Sequence, residues 1–495
     1  MMVGKVLELV KPNLEKLHMK REGARALSLA LKYGSLEQRR AIYEMLKPYF
    51  LSLAFGQHSA KLAKAMARLP FAKAELFPLV KKSIVKLMRS AESAEVAEQI
   101  FEGASGAQQQ ALVDSYFGHE PGVLETPYSE AEPRVAKLVE KALLPLEIVQ
   151  RLLLAFVKAT DVGIHQRLLE ESSLVTSFPG LLSSRAGVSL ACYFFTIAEA
   201  RFRKHLVKAV KGEVKDYARN KATFLLLLKM LRDTDDTVLV RRALLSSLVE
   251  EAAATKEGGG LLDKVFQKLL GSLFAQDGRL LSQQEREALD LGLPHSTSKK
   301  EPLQRLNELL DEHNLTILES ALAQQLDALL ASESHLFIGS VSSYLVERGE
   351  AKSPQAKKVL ALLGAKLAHE EQLVSVGGHR LAKQIIKAEN KFGCSEFSSK
   401  VWAAIKGGTG ARGGGKFVEL VQERAAYVVV ALLEHCAGGS GPDQVKNEIL
   451  KEVKKHRAAL DKAAAKKKEA KGLRLLLEVV AAAAAAPAPP VAKKR

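Results

Sequence analysis

The stretch from Leu17 to Leu69 holds two copies of one unit, KREGARALSLALKYGS and GQHSAKLAKAMARLP, in which Arg25 superposes on Lys61 36 residues later. A weaker copy, SAESAEVAEQIFEGAS, places Glu95 34 residues after Lys61. Self-similarity at this period is the signature of a helical solenoid. Each unit reads as a loop with a small residue, an apolar helix, a turn and a second helix. In the first unit the turn is Tyr33-Gly34-Ser35, and the next segment, LEQRRAIYEMLKPYF, puts Ile42, Met45 and Leu46 on one buried stripe. Gly34 suits a helix C-terminus, where positive φ carries no steric cost for glycine. A helix pair of this size cannot bury its own apolar face, so stacked neighbours must cover it. The expected fold is all-α, a superhelix of stacked helix pairs.

Composition agrees. Aromatics make up 6% of the 495 residues while Ala and Leu dominate, which favours helix over sheet. The net charge of +17 is unevenly placed. Residues 1–90 carry twelve lysines and six arginines against six glutamates, a net +12, and residues 91–140 carry a net −8. A basic lobe beside an acidic patch points to an oriented polyanion partner. Cys192, Cys394 and Cys436 have no CxxC spacing and read as free thiols. The N-terminus lacks the long apolar core of a signal peptide, and LLLEVVAAAAAA is too short for a membrane span. Asn314-Leu315-Thr316 matches a glycosylation acceptor but carries little weight in a chain without export signals.

Along the chain, residues 1–118 hold the three basic units. LFPLVKKSIVKLMRSAE is a helix with Val80, Ile84, Leu87 and Met88 buried and Lys81, Lys82, Lys86 and Arg89 on its other face. A Pro- and Glu-rich break at 118–133 opens a divergent connecting region, 119–183, whose helix restarts at Pro145. Units return over 184–480, with Ser189 set over Phe224 and Tyr344 over His379, each 35 residues apart. Loops there carry Arg185, Arg219 and Lys221; one helix carries Arg201, Arg203, Lys204 and His205; His379, Arg380, Lys383 and Lys387 form a basic helix edge. Gly258-Gly259-Gly260 reads as a hinge, and residues 481–495 as a low-complexity disordered tail. Lys466-Lys467-Lys468 with Lys493-Lys494-Arg495 has the look of a nuclear address. Residues 135–180 and 255–330 are too divergent to phase.

The first unit, KREGARALSLALKYGSLEQRRAIYEMLKPYF, resembles Pumilio (PUF) repeats. Thr297-Ser298-Lys299-Lys300-Glu301-Pro302, followed by Arg305 and Leu309-Leu310, resembles a segment of the penguin or Puf-A subgroup, which carries a CPL domain. The order of units, gap and loop is that of the subgroup over most of residues 5–480. The resemblance implies an α-α superhelix of armadillo/Pumilio-like repeats, in two arms of an L-like shape, that binds RNA. In such repeats one side chain stacks on a base and two flanking ones read its edge. By position, Arg25, Lys61 and Glu95 would stack; Ala24 and Ser28, Ala60 and Lys64, and Ala94 and Glu98 would read. Alanine offers a base edge no hydrogen bond. The code for sequence-specific recognition is therefore missing, and the remaining cations suit phosphate.

The expected RNA-binding residues are Lys20, Arg21, Arg25, Lys61, Lys64, Lys86, Arg89, Arg219, Lys221, Arg380 and Lys383. The expected function is a non-catalytic, monomeric RNA scaffold with little sequence choice. The resemblance adds a place in the nucleolus, large-subunit ribosome assembly and precursor rRNA processing, with pre-ribosomal proteins as partners and a role in translation regulation. The alternative from another class is a HEAT/armadillo-like protein-interaction scaffold, in which the acidic 91–140 segment meets a basic protein. A sequence-specific repressor of messenger RNA is disfavoured by the missing edge readers. No enzyme, cofactor or metal is expected. Gly410 to Lys416 has the GxxxxGK spacing of a phosphate loop, but Phe417 follows where Ser or Thr should hold magnesium. The histidines form no HExxH or Cys/His array, and His435-Cys436 lacks a visible catalytic partner. Glu92, Glu95 and Glu98 read as a solvated helix exterior.

Overall fold

The computed structural model describes residues 8, 11–13, 17–118, 131–171, 174–254, 259–275, 278–291, 298–348, 354–367, 370–392, 395–407, 415–422, 424–437, 443–466 and 471–485. Every regular element among them is helical. Packing divides the chain into two compact units, Met1–Gly212 with Gln284–Ser298, and Glu213–Gln283 with Lys299–Arg495.

The principal helices of the first unit are α1 (Arg21–Tyr33), α2 (Leu36–Leu46), α3 (Phe50–Phe55), α4 (Ala60–Ala67), α5 (Lys73–Leu87), α6 (Ala91–Glu102), α7 (Gly106–Phe117), α8 (Glu132–Glu140), α9 (Glu147–Ala159), α10 (Val162–Glu171), α11 (Arg185–Ile197) and α12 (Ala200–Ala209). Helices α1, α4, α6, α9 and α11 form a row in which each packs on the next. The helices between them lie behind that row. Local sequence sets the boundaries. Ser35 and Gln38 make a reciprocal capping box at α2, and Ser105 and Gln108 repeat it at α7. Gly118 ends α7 with φ of 84°.

In α1 the residues Ala24, Leu27, Ala30 and Leu31 are buried, and in α2 Ile42, Tyr43 and Leu46. Met45, expected in that stripe, is only half-buried. Tyr43 takes its place because its hydroxyl reaches Glu75 at 3.1 Å across the repeat. Each fully buried large aliphatic contributes about 1.5–3 kcal/mol. Val80, Ile84, Leu87 and Met88 are buried as expected. The helix predicted to restart at Pro145 does so, with α8 ending at Glu140 and α9 starting at Glu147.

The second unit carries α13 (Val214–Arg219), α14 (Phe224–Asp233), α15 (Ser246–Ala253), α16 (Lys264–Ala275), α17 (Pro302–Leu309), α18 (Glu312–Ala331), α19 (His335–Glu347), α20 (Pro354–Leu367), α21 (Val376–Phe392), α22 (Glu396–Gly407), α23 (Gly415–Gln422), α24 (Ala425–Ala437), α25 (Asp443–Lys455), α26 (Arg457–Lys466) and α27 (Lys471–Ala485). Here α14, α16, α19, α21, α24 and α27 form the row, and α13, α15, α18, α20 and α22 form a second row behind it.

One contact marks the start of most row helices. The last turn before the helix leaves a carbonyl without an intrahelical partner. A residue early in the next helix, six positions later, either bonds that carbonyl or has no side chain to obstruct it. Ser59 donates to Leu53 at 2.8 Å, Ser93 to Leu87 at 2.6 Å, Gln150 to Leu144 at 2.6 Å, Thr223 to Tyr217 at 3.0 Å and Gln267 to Leu261 at 2.7 Å. At Gly23, Gly187 and Gly378 a Cβ would stand 2.1, 1.9 and 1.9 Å from the carbonyls of Leu17, Leu181 and Gln372. These marks phase the regions that the sequence leaves unphased.

They also correct two alignments. Gly187 and Thr223 set Ser189 over Leu225, one residue from the expected Phe224. Tyr344 lies in the second half of α19, buried and bonded to Asn307, whereas His379 is in the first turn of α21, so the two are not equivalent. The Lys299-to-Arg305 loop is a structural clamp. The Asp235 carboxylate accepts the N–H of Lys299 at 2.9 Å and of Lys300 at 3.3 Å, while buried Arg305 donates to the Lys300 carbonyl. Asn314, the glycosylation candidate, is buried in the first turn of α18 and held by Asp311. Gly259 and Gly260 are described, and Gly260 turns with φ of 62° under the Ala254 carbonyl. Outside the described residues lie Thr297, Gly258, Cys394, Gly410 to Gly414, Lys467, Lys468, residues 119–130 of the break and residues 486–495 of the expected tail. No helix among the described residues is long and apolar enough to cross a membrane.

Candidate nucleic-acid interface

The positions two and five residues after each mark are those assigned to base stacking and one edge reader. Their exposure varies sharply. Arg25, Lys61 and Glu95 are exposed in the first three repeats. The equivalents Leu152, Ser189, Leu225 and Leu269 are buried, and only at Arg380 does the position open again. Among these positions, accessible cations stand at α1 and α4 in the first unit, accessible Glu95 at α6, and an accessible cation at α21 in the second unit.

The edge-reading positions are buried or already engaged, Lys64 by Glu95 of the next repeat. Ala24, Ala60 and Ala94 are at most 3% exposed. The Ser28 hydroxyl bonds back to the Ala24 carbonyl at 2.7 Å. Glu98, expected on a solvated exterior, is 8% exposed instead. Its carboxylate accepts the N–H groups of Glu147 at 2.8 Å and Ile148 at 2.9 Å, capping α9. Burial pushes the carboxyl up from its ordinary value, opposed by those two backbone bonds. Glu389 caps α22 in the same way, accepting from Phe397 and Ser398.

Of the expected cations, Lys20, Arg21 and Arg25 are exposed at or near the start of α1, and Lys61 is exposed in the first turn of α4. Arg25 and Lys61 have no ion-pair partner among the described residues. Lys64 does: Glu95 of the next repeat holds it. Arg68 likewise donates to Gln99 at 2.7 Å. Lys86 and Arg89 are exposed at the end of α5, with Arg89 directly before the α6 cap Ser90. The Arg89 carbonyl accepts from Lys141.

In the second unit Arg219 is exposed but paired with Glu251 on α15, a tie within the fold, while Lys221 is exposed two residues before its mark. In the first unit Arg203 is buried and donates to the carbonyls of Phe195 and Thr196, so it caps α11 and leaves Arg201, Lys204 and His205 exposed. Arg380 and Lys383 share a cleft of about 440 Å³ with Arg279, His379, Gln384, Lys387 and Tyr427. The motif scan missed Tyr427, which reads as an ordinary apolar-stripe residue within AAYVVVALL. Among the described residues no group of three or more His, Cys, Asp or Glu is placed to hold a metal.

The repeated helix rows define an all-α superhelical repeat protein. No protein-family model matches the chain. It is 24% identical to Pumilio homology domain family member 6 of Schizosaccharomyces pombe, over 93% of this chain and 74% of that protein. It is 25% identical to the Saccharomyces cerevisiae protein of the same name, over 62% of this chain but only 50% of that one. The crystal structure of human Puf-A superposes with a TM-score of 0.69 at 18% identity, covering 96% of this chain and 94% of that one. A structure of human Puf-A in complex with DNA gives 0.65 at 19% identity. The chain is similar to Puf-A-type Pumilio-repeat proteins and shares their all-α superhelical fold.

Proposed function

We propose that this chain is an RNA-binding scaffold that holds the phosphate backbone with little choice of sequence. The observation that carries this is the pair Arg25 and Lys61. They occupy one position in successive repeats, both are exposed, and neither has an ion-pair partner among the described residues, while the adjoining edge-reading positions are buried alanines. A cation without a local counter-ion gains most from a phosphate. With alanine at three edge-reading positions and Ser28, Lys64 and Glu98 engaged within the fold, no free edge donor or acceptor serves direct base readout. A nucleolar location and a part in large-subunit ribosome assembly and precursor rRNA processing belong to the same proposal and rest on the likeness to Puf-A.

The test is a set of unrelated single-stranded RNAs of equal length and one duplex, titrated at one salt concentration. Dissociation constants within about threefold across the single strands support the reading. A preference of a hundredfold or more for one sequence contradicts it, as does an absence of binding.

A further inference from the structure

In the second unit, α21 presents His379, Arg380, Lys383 and Lys387 to the same cleft, Tyr427 faces them from α24, and Arg279 adds a further cation from the segment after α16. Among the described residues no carboxylate lines it. Elsewhere in this unit Lys366 pairs with Asp327, Lys391 with Glu347 and Lys406 with Glu448. Arg380, Lys383 and Lys387 have no ion pair among the described residues. The charges of Arg380, Lys383 and Lys387 repel one another, and an arriving anion relieves that repulsion.

The side chains are also held in place. The Lys383 ammonium lies 5.4 Å from the centre of the Tyr427 ring, within cation–π range. The His379 imidazole lies 6.0 Å from the same ring at an interplanar angle of 31°. Its Nδ1 is 2.8 Å from the Ser375 carbonyl, which can only accept, so Nδ1 carries the proton. The tyrosine thus anchors the Lys383 cation and packs against the His379 ring. Burial, and behind it the charges of Arg380, Arg424 and Lys383, hold the His379 pKa below its ordinary value.

We propose that this cleft is a phosphate-binding site separate from the Arg25–Lys61 row, formed by Arg380, Lys383 and Lys387 and taking phosphate groups of an RNA strand. Its volume falls within the range of about 300–1,000 Å³ typical of ligand sites. The proposal deepens the RNA-binding reading for RNA as the ligand; the phosphate chemistry stands without it.

The test uses the full chain, tripolyphosphate and a single-stranded RNA, with calorimetry for the first and a salt titration for the second. Arg380→Gln with Lys383→Gln removes two charges from side chains that are exposed or half-exposed, and melting temperature checks the fold. The expected result is a loss of tenfold or more in tripolyphosphate affinity, and an RNA salt slope shallower by about 1.4, at roughly 0.7 per phosphate contact. Lys387→Gln should shift both in the same direction by less. Adding Arg25→Glu and Lys61→Glu to the double variant should flatten the RNA slope further, so failure of the first-unit row, which would leave the double variant's slope unchanged, and failure of the cleft can be told apart. Loss of tripolyphosphate binding with an unchanged RNA slope supports the phosphate site and assigns it to a free polyphosphate. Binding of both ligands by the double variant at wild-type strength, or no tripolyphosphate binding by the wild type, overturns the proposal.

Discussion

The Ser59 hydroxyl donates to the Leu53 carbonyl, six residues earlier, at 2.8 Å. The same relation recurs where the residue types differ, at Gln150 with Leu144 and at Gln267 with Leu261. At the glycine version of the mark, substitution should cost most. A Cβ on Gly187 would stand 1.9 Å from the Leu181 carbonyl and 2.5 Å from Gln150 Oε1. Gly187→Ala should destabilise by about 1–3 kcal/mol, as overpacking does. Ser59→Ala removes one donor from the Leu53 carbonyl, which keeps the Gly56 N–H at 3.2 Å, and should cost about 0.5–1.5 kcal/mol. Urea midpoints check both; midpoints equal to wild type would refute the role given to the mark.

Glu95 sets where the basic track of the first unit stops. It occupies the stacking position of the third repeat and takes Lys64 from the second. A partly exposed pair of this kind contributes only about 0.2–1 kcal/mol to stability, so its replacement should leave the fold intact. Glu95→Lys adds one cation and releases another. RNA affinity should rise, with a salt slope steeper by about 1.4. An unchanged slope would mean that RNA does not reach the third repeat.

His165 gives the first unit a dependence on pH. It is fully buried, with Nε2 2.7 Å from Thr160 Oγ1 and Nδ1 2.5 Å from Tyr193 Oη. Thr160 donates onward to the Phe156 carbonyl at 2.6 Å, so the neutral ring fits as donor at Nε2 and acceptor at Nδ1. Burial lowers its pKa from 6.5 to about 4. The unfolded chain therefore binds the proton first. Stability from this group is complete above the unfolded value of about 6.5 and falls as pH drops towards about 4. Melting temperature should decline over that window, and His165→Gln should flatten the decline; an equal decline in the variant would place its source elsewhere.

The helical class and the period of the first three repeats were legible because Arg25, Lys61 and Glu95 stand at one position in similar strings. The spacing persists between them because Gly23, Ser59 and Ser93 all meet the same kind of carbonyl. The middle repeats were illegible for the matching reason: glutamine does the work of serine or glycine at Gln150 and Gln267, which no pattern of small residues finds. Charge was legible, but pairing across repeats was not. Lys64 and Glu95 are 31 residues apart, and Arg219 and Glu251 are 32. Glu98 was misjudged because its partners are the backbone N–H groups of α9, some fifty residues on.

The measurement that bears most directly on the central claim is the dependence of RNA affinity on salt, for the wild-type chain and for Arg25→Glu with Lys61→Glu. Phosphate binding through this pair predicts a linear fall of log affinity with log salt in the wild type, and a slope shallower by at least about 1.4 in the variant. Equal slopes would contradict it, and the Arg25–Lys61 row would then be only a solvated edge of the repeats.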